Sequence, residues 1–110
     1  MCCYQTLYLC RDTGYVIRCV HCGNMVIAFG NLLLTFPEEE FAPFRNWIKK
    51  CHARHAGAEE PDERSVILPA TGERISMLLS PHELGAFVCM LDMADTEWQS
   101  QHIMSLLRGN

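Results

Sequence analysis

Hydrophobic and polar positions change period along the chain, and the changes mark its elements. Residues 4–10 alternate imperfectly, with Tyr4, Thr6 and Tyr8 on one side and Gln5, Leu7 and Leu9 on the other. Arg11-Asp12-Thr13-Gly14 follows as a tight turn in which Gly14 can take a positive φ, and residues 15–19 run back. The compact Cys19-Val20-His21-Cys22-Gly23 turn leads into residues 25–29 (MVIAF). Gly30-Asn31 has the composition of a II′ hairpin turn, and residues 32–36 (LLLTF) complete that hairpin.

From Glu38 onward the period becomes helical. Glu38, Glu39 and Glu40 place negative charge in a first turn, and Lys49, Lys50 and Arg54 place positive charge near the end, as the helix dipole prefers. Phe41, Phe44 and Ile48, with Trp47 beside them, form one apolar stripe. Gly57, Pro61 and the acidic residues Glu59, Glu60, Asp62 and Glu63 stop the helix in a loop. Residues 65–68 and 75–79 then read as a second hairpin closed by the turn at residues 69–73. Ser80-Pro81-His82-Glu83 predicts a helix start, with serine at the cap, proline at the first position and glutamate three on. Leu84, Phe87, Val88 and Leu91 are its stripe. A separate last helix is predicted from Asp95 or Thr96, where Thr96 and Gln99 have capping-box spacing, carrying Trp98, Ile103, Leu106 and Leu107 to Arg108-Gly109.

Two stretches therefore look alike, one over residues 24–55 and one over 64–94, with Phe41 and Phe44 matching Leu84 and Phe87 at an offset of 43 residues. Each is a ββα unit that cannot bury its own apolar sheet face alone. The predicted fold is α+β and a single domain over residues 1–110: an N-terminal hairpin, two ββα units sharing one four-stranded antiparallel sheet covered by helices, and a C-terminal helix. Phe41, Phe44, Ile48, Leu84, Phe87 and Leu91 should line the core, with Trp98 and Leu107 the apolar positions left exposed. Met77, Met90, Met93 and Met104 read as gap-fillers along the stripes.

Composition narrows the class. At 110 residues and 49% apolar, the chain can bury roughly 65% of its unfolded surface without a disulfide lattice. Nine Lys and Arg against thirteen Asp and Glu give a formal charge of −4, which supplies no electrostatic footprint for nucleic acid or anionic lipid. No secretory signal is legible, and no segment approaches the roughly 18 apolar residues that span a bilayer. Seven cysteines, an odd number, then suit a reducing cytoplasm with free thiols or a metal site.

The sharpest chemical signal is Cys19-x-x-Cys22-Gly23, two thiols in a tight turn, which is half of a tetrahedral zinc site. If the turn at Asp12-Thr13 closes a regular hairpin, Arg11 faces Gly14 and Cys3 comes opposite Cys22. Cys2 and Cys3 then complete a structural zinc site with Cys19 and Cys22, His21 being the reserve ligand. The bland alternative is a set of reduced thiols acting as small apolar residues. A thioredoxin-like dithiol would need a helix after its first cysteine, whereas this motif leads into a strand. His52 and His55, near Cys51, fit the favourable electrostatics of a helix C-terminus better than a metal site. His82 should be exposed in its helix's first turn. No nucleophile elbow, P-loop, dinucleotide fingerprint or H-E-x-x-H motif is present.

The run C-x-x-C, short strand, F-G-N, second strand and E-E-F, here CVHCGNMVIAFGNLLLTFPEEEF, resembles a family of small Bacteroidetes-type bacterial proteins known as a domain of unknown function. Leu78-Leu79-Ser80-Pro81-His82-Glu83-Leu84 looks like the later L-L-S-x-x-E-L piece of that family. Pro37 departs from it, standing where a serine or similar cap is expected. The resemblance implies a cytoplasmic bacterial protein and supplies no activity.

These readings converge on a small non-catalytic binding or regulatory module with structural zinc as its candidate cofactor. Its partner is an unknown protein or a second copy, docked through the last helix. Membrane and nucleic acid are not expected partners. The alternative is a thiol- or metal-dependent enzyme or redox sensor using Cys19 and Cys22.

Overall fold

The computed structural model describes residues 3–69 and 74–109. Its elements run β1 (Tyr4–Cys10), β2 (Gly14–Cys19), β3 (Asn24–Phe29), β4 (Leu32–Pro37), a 3-10 turn (Glu38–Glu40), α1 (Phe41–Arg54), β5 (Val66–Pro69), β6 (Ser76–Leu79) and α2 (Pro81–Leu107). The α+β class stands. Strands β1 to β4 form one antiparallel sheet in sequence order, and β5 pairs with β6 in a separate two-stranded sheet.

That partition differs from the single sheet expected of two ββα units. The first hairpin occupies the two places beyond β3, so the duplication of pattern does not become a duplication of pairing. The β5–β6 hairpin instead turns Val66, Leu68, Met77 and Leu79 inward as an apolar face and joins the core by packing. The predicted turn between them falls on residues 70–73, outside the described residues.

Alternation explains the main sheet. Met25, Ile27 and Phe29 are buried on the helix side together with Val16 of β2, and the same side of β4 carries Leu32, Leu34 and Phe36. The opposite side presents the rows Thr6, Ile17, Val26, Thr35 and Leu9, Tyr15, Ala28, Leu33. Leu9 is 73% exposed and Leu33 64% exposed, so this second face is apolar and open. Gly30, at φ +56, takes the left-handed first position that a II′ turn requires.

The β1–β2 register corrects a second expectation. Cys10, not Arg11, faces Gly14, and the loop has three residues closed by Thr13 N–H to the Cys10 carbonyl at 3.3 Å. An irregularity between Thr6 and Tyr8 shifts the pairing again, so Tyr4 faces Cys19. Cys3 thus lies beside Val20, whose N–H donates to its carbonyl at 2.9 Å, and not opposite Cys22. Gly14 explains where the turn ends. Its φ is +147, and a Cβ there would stand 1.9 Å from the Ala28 carbonyl oxygen.

The third difference is that α2 is one helix through the expected break. Thr96 and Gln99 do not cap a new helix. Thr96 Oγ1 donates back to the Asp92 carbonyl at 3.0 Å, and Gln99 Nε2 donates to Asp95 at 2.8 Å. The start of α2 is as read: Ser80 accepts from Glu83 N–H at 3.0 Å while Glu83 accepts from Ser80 N–H at 2.9 Å, with Pro81 following.

The core forms where the helices meet the sheet. Phe41, Ile48, Leu84, Phe87 and Leu91 are fully buried, and Phe44 is half-buried. Phe29 of β3 stacks on Phe87 of α2, Phe44 meets Phe87 edge-on, and Phe36 meets Phe44. Gly85 permits the close approach of α1, since a Cβ there would sit 3.2 Å from His52 Nε2. Arg45 of α1 ties the helices together through Asp92 at 2.7 Å, with Lys49 at 3.5 Å from the same carboxylate. Met77 and Met90 fill gaps as expected, but Met93 and Met104 are exposed.

Candidate functional site

The Cys19–Gly23 turn is a knuckle held by backbone bonds. Gly23, at φ +74, donates its N–H to the Cys19 carbonyl at 2.9 Å, and its own carbonyl accepts from Glu38 N–H. The N–H of Cys22 points at Cys19 Sγ over 3.4 Å. An amide donor aimed at a sulfur favours thiolate over thiol, which is the chemistry a metal-holding turn needs. Cys19 is fully buried, whereas Cys22 and Cys3 are exposed.

Of the four expected ligands, Cys2 lies outside the described residues. Cys3 reaches the knuckle through its carbonyl and the Val20 amide. Among the described residues, no three His, Cys, Asp or Glu side chains stand together as a metal group. His21, between the two cysteines of the turn, is exposed. His55 is engaged in α1, its Nδ1 lying 2.9 Å from the Cys51 carbonyl. His82 is exposed and lies 3.1 Å from Asp62.

The perturbed thiol is a different one. Cys10, at the end of β1, is held below the usual thiol range by the Thr13 side chain first, then by the backbone of Asp12 and Thr13. Tyr8 adds to this, and its own phenol is pushed up by burial first and then by Cys10. The sequence contained the signal as Cys10-Arg11-Asp12-Thr13-Gly14. A cysteine just before a loop closed by a hydroxyl residue meets the amides that the loop turns inward.

A second polar cluster sits between the sheet and α2. Arg18 Nε is 2.6 Å from Glu38, Nη1 donates to Gln5 at 3.3 Å, and the guanidinium lies 5.8 Å from the Trp98 ring centroid. Trp98 is consequently half-buried, with its ring edge-on to Phe41, and not an exposed position. Arg18 and Glu38 line one side of a 450 Å³ cleft whose other side is Asp95, Trp98, Gln99, His102 and Ile103 of α2. Glu38 already neutralises Arg18, so the cleft offers an amphipathic wall and no free cation.

Beyond Gln101, whose Nε2 reaches the Thr6 carbonyl at 3.5 Å, the helix outruns its support. At 27 residues α2 is roughly 40 Å long, about twice the length of a six-residue strand. Its last buried residue is Ala94, and Ile103, Met104, Leu106 and Leu107 are all exposed, Leu107 at 76%.

The sequence model of a family of unknown function, DUF6686, matches residues 1–107, nearly the whole chain. The chain belongs to the DUF6686 family. No curated protein matches it, and no solved structure does. Membership in DUF6686 brings no reaction with it, so the site must be read from its own side chains. Those side chains make a thiol-bearing knuckle, one activated thiol at Cys10, and large uncovered apolar surfaces. No helix among the described residues is long and apolar enough to cross a membrane.

Proposed function

We propose that this DUF6686 chain is a non-catalytic binding module whose docking element is the last three turns of α2, and that its partner there is a second copy. The observation that carries this is the distribution of apolar groups on α2. Its first half buries one stripe, whereas none of residues 99–107 is buried and Ile103, Met104, Leu106 and Leu107 share one broad exposed face opposite Gln101, His102 and Ser105. An apolar helix face of this width is ordinarily packed against another surface. Left in water, an unsupported end of this length is also a poor helix. A covering surface supplies both needs.

A second copy suits the segment because residues 98–107 contain no Asp, Glu, Lys or Arg. Two copies can therefore lie antiparallel without like-charge repulsion, each presenting the same stripe to the other. Amide hydrogen exchange across a dilution series tests this. Protection of residues 99–107 should rise with protein concentration, and protection independent of concentration would contradict it.

The zinc expectation belongs to the same reading as a structural element, with Cys19 and Cys22 as ligands and Cys2 and Cys3 the remaining thiols. Its support is the Cys22 amide directed at Cys19 Sγ and the Val20–Cys3 backbone bond that brings the chain start alongside. One equivalent of zinc per chain in protein purified without chelator is the expected result. Metal-free protein of unchanged stability would remove zinc from the account and leave the α2 reading standing. A cytoplasmic, bacterial setting is part of the proposal; the reducing compartment rests on the thiol content and the bacterial origin on the family resemblance.

A further inference from the structure

Two strand edges face one groove. β4 closes the main sheet and β6 closes the small one, and each has a side that no other strand pairs among the described residues. The groove between them holds two cavities, of about 340 Å³ and 290 Å³. Residues 33–36 of β4 line the first together with Phe44, Trp47 and Met77. All four residues of β6 line the second, opposite Asn31 and Leu32. Met77 borders both cavities, so they are stretches of one groove.

The β4 edge offers hydrogen bonds in a fixed order. Phe29 and Leu32 flank the two-residue turn, so alternation gives Leu32, Leu34 and Phe36 the bonds to β3. Leu33 and Thr35 then direct their N–H and C=O groups outward, and no backbone bond from either crosses to another element among the described residues. Exposed edges are ordinarily blunted by charge, proline or a bulge. β1 follows that rule, with its irregularity at Leu7 and with Gln101 Nε2 at 3.5 Å from the Thr6 carbonyl. β4 and β6 carry no charged residue, and of the two only β4 has a proline, at its very end.

We infer that this groove binds an extended segment of a partner protein, paired to the β4 edge as an added strand. Its alternate side chains are apolar and rest on Phe44 and Trp47, both half-buried and in tilted contact with centroids 6.0 Å apart. Charge selects one end. Glu40 is the only ionised side chain lining the first cavity, is exposed, and forms no ion pair among the described residues. A lysine or arginine at the end of the segment near Phe36 complements it. This surface is separate from the end of α2, and either reading can fail without the other.

A phage-displayed library of random heptapeptides, panned on the full chain, tests the inference. Selected sequences should alternate apolar residues and end in Lys or Arg. N-methylation of alternate amides in a selected peptide should weaken binding by about tenfold for each edge bond lost, while methylation of the intervening amides is tolerated. Glu40→Gln, which removes the charge without placing a cation at the start of α1, should abolish the preference for a basic end. The Ile103→Glu/Leu107→Glu chain should bind the same peptides unchanged. Recovery of no peptide, indifference to N-methylation, or selection of helical i, i+4 patterns that the α2 variant no longer binds would each overturn it.

Discussion

Phe29 and Phe87 stack with their ring centroids 4.5 Å apart and their planes 6° from parallel. The pair joins the third strand to the long helix, and Phe44 closes against the same Phe87 ring at 5.9 Å. One side chain therefore couples the sheet, α1 and α2. Phe87→Ala should cost about 3–5 kcal/mol, the range for deleting a buried aromatic ring. Thermal denaturation should show a fall of well over 10 °C, since each kcal/mol shifts a domain of this size by roughly 4–8 °C. A fall of a degree or two would mean that the three elements are not joined here.

The start of α2 gives a second prediction, dependent on pH. Arg64 lies 3.0 Å from Glu83 and, with the Ser80 amide, holds the Glu83 carboxyl below its ordinary value. A carboxyl depressed in the folded state adds stability above its unfolded pKa, roughly 4.3, and that stability is lost as pH falls through the lower folded value. The stability gap between the native chain and Glu83→Gln should be constant near neutral pH and shrink below about pH 4. Ser80→Ala, which removes the other half of the box, should cost about 1 kcal/mol near neutral pH. Urea unfolding of the three chains between pH 3 and 7 checks both.

Cys10 should be the fast thiol. The Thr13 side chain and the amides of Asp12 and Thr13 favour its thiolate, so alkylation should have a midpoint below that of an ordinary thiol. At pH 7 iodoacetamide should label Cys10 ahead of exposed Cys22 and Cys89 in peptide mapping. Thr13→Val should slow Cys10 and leave the others unchanged. Equal rates at all exposed thiols would contradict the turn's role.

Much of the scaffold was legible because single residues carry strong local signals. Gly30-Asn31 set a two-residue turn, Ser80-Pro81-x-Glu83 set a helix start, and the stripes from Phe41 and Leu84 marked the core. Register was not legible. The irregularity near Leu7 buries Leu7 and leaves Leu9 exposed, although the two share a side in a regular strand. Such a shift is a compromise between strand pairing and packing against α2, and it has no local signature. With the three-residue loop at Arg11–Thr13 it moved Cys3 from the expected place opposite Cys22 to one beside Val20. The fusion of two helices was hidden for a related reason: Thr96 and Gln99 bond within a helix as readily as they cap one.

The open sheet face supplies a further contrast. Leu9 and Leu33 are exposed on it, yet Tyr15, Ile17 and Val26 between them are half-buried by their neighbours. Val26 and Ala28 make β3 apolar on both faces. Leu33→Lys should therefore be tolerated, changing stability by less than about 0.5 kcal/mol. Chemical denaturation checks this, and a loss of several kcal/mol would show that the face is packed in solution.

Sedimentation equilibrium over a wide range of concentrations, on the native chain and on Ile103→Glu/Leu107→Glu, tests the central claim most directly. The account predicts a native chain that moves from monomer to dimer as concentration rises. The double variant should stay monomeric with its melting of β3, α1 and the first half of α2 unchanged. A native chain that is monomeric at every concentration, or a variant that still dimerises, would contradict it.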